Sequence, residues 1–216
     1  MNETGQFSRR GLYAVTPDEP DTERLLEMSA QVLAGCPALF QYRNKSASPA
    51  LRREQAFRLL ALCQMSATPL IINDDLELAL ELGADGVHLG RGDGDAAFAR
   101  RALDARGAGR IVGVSCYDEW ERAVAGAEAG ADYVAFGAMF VSATKPLAPP
   151  APVGLLTRAR RELKPDVAVV GIGGITLGNA GMLFEAGADL VAVVSDVFGA
   201  ADPRARAAVY RALARG

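Results

Sequence analysis

The chain has 216 residues, half of them hydrophobic, with 23 lysines and arginines against 26 aspartates and glutamates and a formal charge of −3. It can bury a large core unaided, and its dispersed basic residues form no continuous stripe of the kind a nucleic-acid backbone needs, so nucleic acid is not an expected partner. No apolar run approaches the ~20 residues of a membrane helix, and the three scattered cysteines (Cys36, Cys63, Cys116) fit neither a disulfide framework nor a zinc site, which favours the reducing cytoplasm, away from membranes.

Residues 1–10 lack the apolar core of a signal peptide and are read as an N-terminal extension, with residues 11–216 as one domain. Short apolar runs then predict strands near 11–16, 38–42, 69–73, 86–90, 110–115, 133–138, 167–172 and 190–195. Helical patterns fall between and after them, near 21–34, 48–66, 75–82, 95–106, 118–129, 153–163, 177–186 and 202–214. Several open on Asp, Ser or Thr and close on Gly. Three joints are nearly identical, GADGVHLG from 83, GADYVAFG from 130 and GADLVAVV from 187, each a glycine stop followed by a strand. Eight such units in roughly 200 to 250 residues predict an α/β fold of the closed, parallel (β/α)8 or TIM-barrel type. An open doubly wound sheet is the alternative, but YAVTPDEP stands where its GxGxxG loop would follow the first strand.

A barrel of this kind carries its chemistry at the carboxyl ends of its strands. The second strand runs into QYRNK, where Gln41, Arg43 and Lys45 alternate and so share one side of an extended segment. Lysine is scarce in this chain, limited to Lys45, Lys145 and Lys164. The third strand ends in Asn73 and Asp74, the fourth in HLGRGD with Asp93, the fifth in Ser115. The sixth leads to Ser142, Ala143, Thr144 and Lys145, the seventh to GIGGIT with Gly173 and Gly174, the eighth to Val194 and Ser195.

Two carboxylates on adjacent loops suit magnesium, which takes oxygen ligands and completes its shell with water and substrate phosphate. Asp74 and Asp93 are the candidate ligands. The glycine-rich turn of the seventh strand lets backbone amides approach a phosphate without side-chain obstruction. Two phosphate environments imply two phosphorylated small-molecule substrates.

From GLYAVTP to VVSDVF, the segments QYRNK, IND, GVHLG with a following Asp, GVS, TKP, GIGGI and VVS resemble, in order, those of the thiamine phosphate synthase family. The resemblance implies condensation of hydroxymethylpyrimidine diphosphate with a thiazole phosphate, giving thiamine phosphate and diphosphate with the help of Mg2+. It implies that Arg43, Lys45 and Lys145 act on the departing diphosphate, with Gln41, Asn73 and Ser115 around the pyrimidine and its diphosphate. Ser142 and Thr144, with Gly174, Val194 and Ser195, would hold the thiazole phosphate. The chain departs from the family pattern at Val141 and Ser142, in place of Pro-Thr, and at Arg91 and Gly92, in place of Gln-Glu. A thiazole tautomerase-like barrel is one alternative, though it would be expected to lack Arg43, Lys45, Asp74 and Asp93. A non-catalytic barrel binding thiamine intermediates is another. The oligomeric state, including a homo-oligomer, stays open.

Plainer readings stand beside these. Asp74 or Asp75 can cap the following helix, His88 can be a hydrogen-bonded interior residue, and Cys116 a buried thiol. Trp120 is expected to pack the fifth helix, and the proline-rich 145–154 segment is either a lid or a stiff spacer.

Overall fold

A computed structural model describes residues 10–141 and 150–215. Its strands are β1 (Gly11–Val15), β2 (Leu39–Tyr42), β3 (Leu70–Asn73), β4 (Gly86–Leu89), β5 (Ile111–Tyr117), β6 (Tyr133–Phe136), β7 (Ala168–Ile172) and β8 (Leu190–Val193). All pair in parallel in chain order, and β8 returns to β1 through Gly11↔Leu190, closing the barrel. The helices are α1 (Thr22–Ala34), α2 (Pro49–Met65), α3 (Leu76–Leu82), α4 (Ala96–Asp104), α5 (Trp120–Glu128), α6 (Gly154–Glu162), α7 (Leu177–Glu185), α8 (Ser195–Phe198) and α9 (Pro203–Leu213). The expected (β/α)8 fold is the one observed.

Because every strand is covered on both faces, the strands read as apolar runs without polar alternation. Tyr13, Leu39, Ile71, Ile111, Val170 and Leu190 fill the barrel interior. Their neighbours Leu12, Phe40, Ile72, Val112, Val169 and Val191 point outward under the helices. Trp120 lies against this outer layer, with the Arg158 guanidinium 4.1 Å from its ring centroid.

The repeated GAD joint has a structural cause. Asp85, Asp132 and Asp189 each accept a backbone N–H from the first or second residue of a neighbouring strand, from Leu70, Val112 and Val169, at 2.8, 2.7 and 2.8 Å. Arg100 and Arg160 pair with Asp132 and Asp189, both at 2.9 Å. These aspartates satisfy backbone donors at the amino-terminal rim, opposite the face where such barrels carry their chemistry, so the repeat serves barrel closure.

Among the element ends that differ from the sequence expectation, β6 stops at Phe136 rather than 138, and two others bear on the carboxyl rim. β5 continues past Ser115 to Tyr117 through an irregularity in its pairing with β6, with Tyr117 at φ +56°. β8 stops at Val193, and Val194 and Ser195 instead open the short helix α8. α8 is tied to α9 through Asp196, whose carboxylate accepts from Arg206 at 2.8 Å and from the Tyr210 hydroxyl at 2.7 Å. That anchor lies ten and fourteen residues downstream, beyond any local pattern.

Candidate active site

Strand parity and loop chemistry place the residues of the carboxyl rim. In β2, Gln41 points inward and donates to the Tyr13 hydroxyl at 2.6 Å. Beyond it, Thr16 both donates to the Arg43 carbonyl and accepts the Arg43 N–H, at 2.8 and 2.9 Å, which stitches the β1 loop to the end of β2. Arg43 then pairs with Asp18 at 3.2 Å. Lys45 turns the other way, its Nζ 3.2 Å from Asp74 Oδ2. The Lys45 side chain is 59 % exposed, so the pair adds little stability and the ammonium can shift readily toward an anionic ligand.

Asp75, not Asp74, caps α3, accepting from Leu78 N–H at 2.9 Å. Asp74 takes a left-handed conformation, φ +65°, and donates its N–H to the His88 carbonyl at 2.8 Å. The Asp93 carboxylate accepts from Gly90 N–H at 2.8 Å and lies close enough to the Asp74 carboxylate to feel its charge. Partial burial first, and then the neighbouring Asp74 carboxylate, hold the Asp93 pKa above the ordinary carboxylate value. Two carboxyl groups pressed together beside one ammonium fit a divalent cation, which would relieve their repulsion. No third acidic, histidine or cysteine group completes a metal cluster among the described residues. Water and phosphate oxygens would have to complete the shell of such a cation, as magnesium prefers. A cavity of about 30 Å3 lies alongside, lined by Asn44, Lys45, Arg52, Asn73, Asp74 and Asp75 among others. Arg52 Nε is buried with no hydrogen-bond partner among the described residues.

Beneath this rim runs a buried polar chain that the strand-end reading did not include. Tyr13 and Tyr133 hydroxyls are 2.6 Å apart, Tyr133 OH is 2.9 Å from His88 Nδ1, and His88 Nε2 is 2.8 Å from Ser115 Oγ. Donor counting orients it. Gln41 donates to Tyr13, Tyr13 to Tyr133, Tyr133 to Nδ1, and Nε2–H to Ser115. The reverse direction would aim the Tyr13 hydrogen at an amide N–H that cannot accept it. Ser115 therefore accepts from below and keeps its own hydrogen for a ligand above. The signal for Tyr13 and Tyr133 was present as inward strand parity, but parity alone does not say that two residues 120 apart in sequence will meet.

Burial pushes both tyrosine hydroxyls above the ordinary phenol value and holds His88 down at about 4. The imidazole is thus neutral at physiological pH, as an interior histidine should be. The chain has a single histidine, so NMR of the imidazole in metal-free protein is expected to show one titration centred near pH 4. Between 6.5 and about 4 the unfolded chain binds more protons than the folded one, so stability falls as pH drops through that interval, by roughly 3 kcal/mol at most from this group. A midpoint near 6.5 would remove the argument. Cys116 is likewise a buried thiol, its pKa raised to about 12 chiefly by burial.

On the far side of the rim, Gly173 and Gly174 have φ of +98° and +64°. A Cβ on Gly174 would lie 2.7 Å from the Phe140 and Val141 carbonyls, so only glycine lets the β6 and β7 loops approach this closely. Val194 and Ser195 start α8 nearby in chain order, after β8. The structure thus brings Lys45, Asp74 and Asp93 into one cluster, and Gln41 and Ser115 onto one hydrogen-bonded chain. Arg43 is held by Asp18 instead. Ser142, Ala143, Thr144 and Lys145, and the first half of the 145–154 segment through residue 149, lie outside the described residues.

Comparison with known proteins follows the same lines. A family model described as thiamine monophosphate synthase matches residues 12–197. The chain is 61% identical over 204 residues to a thiamine-phosphate synthase of Aromatoleum aromaticum, covering 94% of this chain and 96% of that protein. A thiamine-phosphate synthase of an Azoarcus species is 59% identical, covering 94% and 97%. Among solved structures, thiamine phosphate pyrophosphorylase from Pyrococcus furiosus superimposes with a TM-score of 0.81 at 27% identity, covering 96% of each chain. Orotidine 5'-phosphate decarboxylase from Pyrococcus horikoshii, TM-score 0.69 at 16% identity and covering 95% of this chain and 100% of that one, shares the fold alone.

Proposed function

The chain belongs to the thiamine monophosphate synthase family, and from that premise we propose that it joins 4-amino-2-methyl-5-hydroxymethylpyrimidine diphosphate to 4-methyl-5-(2-phosphoethyl)thiazole or its carboxylate, releasing diphosphate. Its activity is that of a transferase. The observation that carries the reading is the cluster of Lys45 with Asp74 and Asp93 at the ends of β2, β3 and β4. Such a cluster suits a leaving group whose negative charge grows as the C–O bond breaks.

Asp74 and Asp93 would hold magnesium, which when bound neutralises the developing charge on the diphosphate. Arg43, Lys45 and Lys145 would bind the same oxygens, and Arg43 would exchange its Asp18 partner for the substrate. Gln41, Asn73 and Ser115 would seat the pyrimidine and its diphosphate, with the free hydroxyl hydrogen of Ser115 directed at a diphosphate oxygen. The departing carbon becomes electron-poor, and the neutral His88 beneath Ser115 adds no opposing positive charge. Ser142, Ala143, Thr144, Gly173, Gly174, Val194 and Ser195 would retain the thiazole phosphate. The thiazole nitrogen is itself a neutral nucleophile, so the reaction needs no activated side chain. A reducing cytoplasm suits the free cysteines. Among the described residues, no helix is long and apolar enough to cross a membrane.

Incubating purified protein with both substrates is expected to yield thiamine phosphate and diphosphate in equal amounts, only when magnesium is present. A tautomerase or a carrier releases no diphosphate, and that result would overturn the reading.

A further inference from the structure

Arg122, on α5, makes contacts that the proposed reaction does not yet use. Its Nε donates to the Ser115 carbonyl at 2.5 Å and its Nη2 to the Gly90 carbonyl at 2.9 Å. One partly buried guanidinium therefore spans the ends of β4 and β5. Gly90 in turn gives its N–H to Asp93 Oδ2 at 2.8 Å, and a Cβ there would lie 2.6 Å from that same oxygen. Arg122 thus reaches Asp93 through a single intervening residue, and on its other arm it reaches the residue whose hydroxyl meets His88.

The surroundings reinforce the link. Tyr117, with its unusual positive φ, has the Arg91 and Arg122 guanidinium carbons 5.2 and 5.9 Å from its ring centroid. Its hydroxyl accepts the Arg91 N–H at 3.3 Å, and Arg91 pairs with Glu119. The left-handed backbone at a strand end, held between two cations, aims the ring back over the loop that carries Asp93. This loop is where the chain departs from the family pattern, with Arg91 and Gly92.

We propose that Arg122 is a positioning residue for the magnesium site, fixing the Gly90–Asp93 turn and the Ser115 backbone in one register. This inference rests on the reading of Asp74 and Asp93 as metal ligands. Planar, always-charged arginine suits the task because its fork can hold two carbonyls at once. Groups that orient metal ligands typically alter metal affinity by about 10 to 100-fold when removed.

The test is Mn2+ binding in the presence of inorganic diphosphate, followed by electron paramagnetic resonance, together with urea unfolding. Arg122→Ala is expected to weaken Mn2+ binding about tenfold or more. Arg122→Lys, which keeps the charge and one donor, should recover part of the loss. Arg91→Ala leaves both carbonyl contacts in place and should change Mn2+ binding less than about twofold. A purely structural role would lower the urea midpoint of Arg122→Ala while leaving its Mn2+ affinity within about twofold of the parent, and that outcome overturns the proposal. Should the alanine variant not fold, Arg122→Gln is judged by the same measure. Asp93→Asn separates the two readings. If it loses Mn2+ while Arg122→Ala does not, only the positioning role falls; if it binds like the parent, the metal assignment and this inference fall together.

Discussion

Replacing Asp93 with alanine is expected to lower turnover by about a hundredfold or more at fixed magnesium and to raise the magnesium concentration needed for half-maximal activity. The magnitude follows from position. Groups that merely orient metal ligands cost about 10 to 100-fold when removed, so loss of a carboxylate proposed to bind the metal itself should cost at least the upper part of that range. Removing it also ends the mutual repulsion with Asp74, leaving one carboxylate paired to Lys45 and a weaker attraction for a divalent cation. The matched comparison is Asp75→Ala, one residue from Asp74 but engaged as the cap of α3. It should cost about 1 kcal/mol of stability and leave the magnesium titration unchanged. If the Asp93→Ala titration superimposes on that of the parent, the carboxylate pair is not the metal site.

Gly113→Ala should be among the most damaging single changes in the barrel. An added Cβ would lie 1.9 Å from Tyr133 Cζ and 2.2 Å from its hydroxyl oxygen, so the ring occupies the space a side chain would need. Tyr133 is fully buried and holds Tyr13 on one side and His88 on the other. Forcing it aside combines overpacking with unpaired buried hydroxyls, for a loss of about 3 kcal/mol or more. The loss should appear as a lower urea midpoint together with a His88 titration displaced toward that of free imidazole. Gly181, inside α7 with open space at its Cβ position, offers the opposite sign: alanine there should stabilise by roughly 0.5–1 kcal/mol. An unchanged midpoint for Gly113→Ala would mean that the Tyr133 ring is not held where the hydrogen-bond chain requires it.

The readable part of the site was its chemistry by position. Asn73, Asp74, Asp93 and Ser115 stand out because polar residues end apolar strands, and a barrel topology gives those ends a common rim. That an aspartate caps α3 was equally legible, since a cap acts on residues three positions away, but the choice of Asp75 over Asp74 came from the structure. The tyrosines were not, because an aromatic residue inside a strand looks the same whether it fills a core or carries a proton. Arg122 carried no signal at all. Its partners are seven and thirty-two residues upstream, and both are backbone carbonyls that any sequence possesses.

Alone, the order of residues determined the eight alternating units, the faces of the strands, the glycine stops and the polar strand ends, because each depends on hydrogen bonds and periodicity within about a dozen neighbours. Tertiary structure decided that Lys45 would meet Asp74 while Arg43 met Asp18, that Tyr13 would reach Tyr133 and His88, and that Gly113 must stay bare. Those meetings are set by the stagger and closure of the barrel, which bring side chains from different strands to one point, and no local pattern encodes that geometry.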